Sequence, residues 1–139
     1  MSQEIVEKVF KRDIQVLEEV FAFVDDSTNS FPLDSATSFA IKFAVEEIFT
    51  NMVKYNPQGK GDITITLMQN PGNLVVRLVD EQITPFDPTQ ATPRDLLLPL
   101  EQRTPGGLGI QLVKEMVDRI EYDHLDNKSK ITLTFRMDK

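Results

Sequence analysis

The chain has 139 residues, 40% of them hydrophobic, a length suited to one domain that builds a core without cross-links. It has no cysteine, which excludes disulfides, thiolate catalysis and cysteine-ligated zinc or iron, and its one histidine, His124, cannot build a multi-histidine metal site. A net charge of −7 without a Lys/Arg cluster argues against nucleic acid, while leaving a basic protein partner or simple solubility as uses for the acid surplus.

No run approaches about 20 apolar residues, so no membrane span is expected. The first residues lack the basic and apolar regions of a signal peptide, and the expected location is cytoplasmic. In chain order, Ile5, Val6, Val9 and Phe10 suit a first strand. From Asp13 the spacing becomes helical: Ile14, Leu17, Val20, Phe21 and Val24 recur at steps of three and four. Residues 25–29 read as a loop. Asp34 is placed to cap a second helix over 35–55. That helix is apolar on nearly every side and belongs in the core. Residues 56–59 end it.

Ile63, Ile65 and Leu67 alternate with less apolar residues, and 74–79 give a second strand across a turn at 70–73, so the pair reads as a hairpin. Residues 81–106 form a long connection with five prolines, the kind of loop that compact domains keep for function. A third helix opens at Gly106. Ile110, Val113, Met116, Val117 and Ile120 give it a buried face. Strands near 120–125 and 131–135 close the chain, with His124 expected at the surface. Helices and strands mix without strict βαβ alternation, which indicates an α+β fold.

Two patterns carry chemistry. Glu47 and Asn51 are four residues apart, with Lys54 three later, so they share one face of an otherwise apolar helix. Such a stripe is either a solvent-facing strip with a Glu–Lys contact or a site that satisfies a partly buried carboxylate. A magnesium–triphosphate suits the second reading, with oxygen from Asn51, charge from Lys54 and a base in Glu47. Glu46 competes with Glu47 for the inward position, and the spacing to Asn51 favours Glu47. The second pattern is Gly106 to Gly109 ahead of a helix. Glycine lets backbone amides approach a ligand, and the unpaired N–H groups and dipole of a helix start attract an anion. The Gly-Lys-Ser/Thr ending of a P-loop is absent.

Together these residues resemble a known family. Residues 47–55 (EIFTNMVKY) resemble the N-box of the gyrase/histidine-kinase type of ATPase. Leu78-Val79-Asp80 followed by Pro85-Phe86-Asp87-Pro88 resembles the G1 box and proline motif of its branch of anti-sigma-factor serine/threonine kinases. Residues 106–113 (GGLGIQLV) resemble the G2 box. The boxes stand in family order, and the resemblance covers nearly the whole chain.

The resemblance implies a two-layer α/β sandwich, a mixed, mainly antiparallel sheet with helices on one face. It implies ATP and Mg²⁺ as cofactors, with Asn51 ligating the metal and Glu47 as the catalytic base. Asp80 would accept from the adenine amine. The backbone at Gly107, Leu108 and Gly109 would hold phosphates, joined by Lys54 and by Arg103 from a lid over about 84–105. The implied activity is phosphorylation of a small antagonist (anti-anti-sigma) protein. The implied regulation is sequestration of a sigma factor, and the implied assembly is a homodimer. Two departures stand out. Gln82 occupies the G1-box glycine position, where left-handed geometry would cost a non-glycine residue roughly 1–2 kcal/mol. Residues 129–130 lack the family's glycine–threonine pair. The alternative is a partner-binding module of the same fold with weak or lost ATP binding.

Overall fold

Alternating apolar residues build a sheet that one apolar helix covers. The computed structural model describes residues 4–29, 31, 33–55, 61–81, 107–126 and 128–137. Strands β1 (Glu4–Phe10), β2 (Ile63–Asn70), β3 (Asn73–Glu81), β4 (Arg119–Leu125) and β5 (Lys128–Arg136) form one sheet in the order β1-β2-β3-β5-β4. Every pairing among them is antiparallel. The expected mainly antiparallel sheet is what the structure shows, antiparallel throughout over the described strands. Tight turns dictate that sense for β2 with β3 and for β4 with β5, because a short hairpin can only join antiparallel neighbours. Gly72 (φ 78°) makes the turn between β2 and β3, and Asp126 (φ 54°) the turn between β4 and β5. Both are residues that tolerate left-handed backbone.

Three helices cover one face among the described residues. A single 3₁₀ turn, Ile14–Val16, leads into α1 (Leu17–Thr28), with Asp13 Oδ1 accepting from the Gln15 amide at 2.9 Å. Helix α1 runs through residues 25–28, which the sequence reading assigns to a loop. The Thr28 hydroxyl donates to the Val24 carbonyl at 2.8 Å, so a residue typical of loops is satisfied inside the helix. Helix α2 (Ser35–Tyr55) has the expected bounds, and its Asp34 cap accepts from the Thr37 amide at 2.7 Å. Helix α3 spans Gly107–Met116, while Ile120 lies in β4.

The core lies between α2 and the sheet. Ile41, Ile48 and Phe49 from α2 meet Ile65, Leu78 and Leu133 from the strands, all fully buried. Burying each such side chain contributes roughly 1.5–3 kcal/mol. Phe10 closes this layer at the β1 edge, edge-on to Phe49 with ring centroids 6.4 Å apart. Ile5 and Val9 of β1 stay more than half exposed at the sheet edge. No helix among the described residues is long and apolar enough to cross a membrane.

Candidate functional site

Helix α2 separates its two adjacent glutamates. Glu46 turns toward α1 and lines a groove with Phe21, Phe39, Lys42 and Phe43. Glu47 turns toward α3, where its carboxylate lies directly against Gly109. A Cβ at Gly109 would fall inside that carboxylate, 2.7 Å from Oε1 alone. A side chain at 109 would displace the Glu47 carboxylate, the far end of a flexible side chain, so glycine here lets the carboxylate keep its position.

Burial raises the pKa of Glu47; neighbouring Glu46 raises it further, and Lys54 opposes both. Lys54 itself is exposed in the last turn of α2. Asn51 lies one turn beyond Glu47 and is buried, with 3% of its surface exposed. The first turn of α3, Gly107 to Gly109, brings amides without intrahelical acceptors and the positive end of a helix to the Glu47 carboxylate. The structure thus joins Glu47 to Gly109, while both glutamates are half-buried. Gly107 and Leu108 lie in this turn by their backbone. Arg103, Gln82, Gly106 and the expected lid lie outside the described residues.

Asp80 occupies a second locus. The register aligns Phe10, Ile63, Asp80, Ser129 and His124 in one row across the sheet. Asp80 and Ser129 are fully buried there. Asp80 forms an ion pair with Arg12, whose side chain is only 5% exposed. Arg12 Nε also donates to the Gly61 carbonyl at 3.2 Å and Nη1 to the Met52 carbonyl at 3.1 Å. One guanidinium thus ties together the end of α2, the start of β2 and the end of β3. Burial pulls the Arg12 pKa down and Asp62 opposes the shift, and a guanidinium stays charged through such changes. Arg12 Nη2 engages Asp80 Oδ1, and Oδ2 receives no hydrogen bond among the described residues.

Sequence reasoning did not single out Arg12. Its only signal is position: it stands two residues beyond the end of β1. His124 is half-buried in the same row rather than at the surface, with Nε2 receiving no hydrogen-bond partner among the described residues.

No group of three His, Cys, Asp or Glu able to hold a metal occurs among the described residues. A magnesium ion at Asn51 would therefore take most of its oxygens from a bound phosphate chain and water, the usual arrangement for that ion.

The histidine kinase-like ATPase domain family matches residues 10–135. The serine/threonine-protein kinase BtrW of Bordetella bronchiseptica is 28% identical over 98 residues, covering 69% of this chain and 68% of BtrW. The crystal structure of the RsbU and RsbW domains of Rv1364c from Mycobacterium tuberculosis superposes with TM-score 0.68 at 15% identity. That match covers 96% of this chain, which spans only 32% of the Rv1364c chain. A chain from the SiaB–SiaC complex of Pseudomonas aeruginosa superposes with TM-score 0.57 at 14% identity, over 94% of this chain and 88% of that one. At these identities the two structures speak for the fold alone.

Proposed function

The chain belongs to the histidine kinase-like ATPase domain family, and on that premise we propose that it is a protein serine/threonine kinase that phosphorylates a small antagonist protein and holds a sigma factor on another surface. The observation that carries the reading is the Glu47 carboxylate seated against Gly109 at the head of α3, with Asn51 one turn along the same helix. The kinship to a named serine/threonine-protein kinase supports the reaction class.

The residues fit ATP with magnesium. The first turn of α3 begins with glycine backbone next to the Glu47 carboxylate, which places the candidate base beside amides able to hold phosphate oxygens. The buried Asp80 carboxylate has acceptor capacity for a base amine. When bound, ATP supplies the γ-phosphoryl group and magnesium neutralises its charge. Asn51 would contribute one oxygen to the metal, and the amides of Gly107 to Gly109 would hold phosphate oxygens. Lys54 and Arg103 would add positive charge. Glu47 would accept the proton of the attacking serine or threonine hydroxyl. Its raised pKa makes it a stronger base than an exposed glutamate. Positioning and charge stabilisation supply most of the rate in such reactions.

Transfer of labelled γ-phosphate to a co-purified antagonist protein tests this directly. Glu47→Gln is expected to lower transfer about 10²–10⁴-fold while sparing ATP binding. Unchanged transfer in that variant removes Glu47 from the mechanism. One observation favours the alternative of a partner-binding module with weak ATP binding: Asp80 is covered by Arg12. Partner capture by the protein with no phosphate transferred supports that alternative.

A further inference from the structure

Asp80 has no exposed surface, and Arg12 lies across it with 5% of its own side chain exposed. A purine amine cannot donate to a carboxylate it cannot reach. Any base read by Asp80 must therefore displace the guanidinium. The ion pair and the carbonyls of Met52 and Gly61 are among the contacts that hold Arg12 in place. The two carbonyls lie at the end of α2 and just ahead of β2. The ion pair engages Oδ1 and leaves Oδ2 without a hydrogen bond among the described residues, so the carboxylate can still gain from an incoming N–H donor.

We infer that Arg12 is a built-in competitor for the base subsite: it neutralises Asp80 in the empty protein, must leave before a base amine can bind, and so sets nucleotide affinity and selectivity. This rests on the reading that Asp80 receives the base. The apparent dissociation constant rises in inverse proportion to the fraction of molecules with Arg12 withdrawn. The effect acts on the base end of the ligand only. Phosphate groups held at α3 do not sense it.

The test is calorimetric titration of Mg·ATP, and separately of inorganic tripolyphosphate with magnesium, into the wild type and three variants. Arg12→Ala and Arg12→Gln each release Asp80. Removing one ion of a buried pair destabilises the fold, so Arg12→Gln, which keeps an amide able to donate to the carbonyls, decides the matter if Arg12→Ala does not fold. Arg12→Ala combined with Asp80→Ala removes both charges and the base acceptor. The single variants are expected to bind Mg·ATP about tenfold more tightly than the wild type, as for a competent fraction near one in ten. The double variant should lose that gain, and tripolyphosphate should bind all four proteins alike. The apo single variants should melt below the wild type, with Mg·ATP raising their melting temperatures more than it raises that of the wild type. Equal Mg·ATP affinity in the wild type and the single variants overturns the inference and leaves ATP binding standing. Tighter binding of tripolyphosphate by the same factor also overturns it, since the release would not be at the base. No Mg·ATP binding by any of the four overturns the ATP reading and the inference together.

Discussion

Glu47 and Gly109 are one unit, because the carboxylate of the first fills the space that a side chain on the second would need. Gly109→Ala is therefore expected to push Glu47 from its position and to lower phosphoryl transfer about 10²-fold, the scale of a misplacement near 1 Å. Transfer at the wild-type rate in Gly109→Ala would show that the contact does not position the base.

The raised pKa of Glu47 has a second consequence. A carboxyl whose folded pKa lies above its unfolded value binds its proton more tightly in the native state. Stability then falls as pH rises from the unfolded value, near 4.5, through the folded one. Glu47→Gln should match the wild type in melting temperature below that window, apart from a constant offset, and gain on it progressively toward neutrality. Transfer by the wild type should rise with pH across the same window. A pH-independent difference in melting temperature contradicts the shift. At this scale Glu47, Asn51 and Gly109 were legible from spacing, because four residues on a helix are one turn and glycine before a helix marks close approach. Arg12 was not legible. Its partner lies 68 positions away in sequence (80 − 12), and only the strand register brings the two together.

Among the elements, α2 carries both the core and the site, so its stability governs both. Its bounds were readable because Asp34 supplies a cap and the apolar run is unbroken. Asp34→Ala is expected to cost about 1 kcal/mol of stability, leaving the Thr37 amide unpaired. Phe49, fully buried between Phe10 and the sheet, is expected to cost about 3–5 kcal/mol on replacement by alanine. Denaturant unfolding measures both, and a Phe49→Ala loss no larger than that of Asp34→Ala would contradict the packing described. The end of α1 was not readable. Residues 25–28 look like loop by composition, yet the Thr28 hydroxyl turns back on its own helix and Asp25 pairs with Lys42 of α2. Burial of Val24, Ser27 and Thr28 against the rest of the fold overrode local propensity there.

For the whole molecule, class and layering followed from the sequence, whereas sheet order did not. The hairpins announced themselves by turn residues. The pairing of β3 with β5 and of β1 with β2 joins strands far apart in the chain, and no local signal encodes it. That order sets the two loci of the site. It places Asp80 at the end of a central strand, flanked by β2 and β5, and it leaves α3 to pack on α2 so that Gly109 meets Glu47. On the proposed reading, a nucleotide and its metal are held between the polar face of α2 and the first turn of α3. Calorimetric titration of ATP with and without magnesium, into the wild type and Asn51→Ala, tests it most directly. Saturable, magnesium-dependent binding by the wild type that Asn51→Ala abolishes is the expected result. Equal affinities with and without magnesium in both proteins, or no heat at millimolar ATP in either, would contradict it.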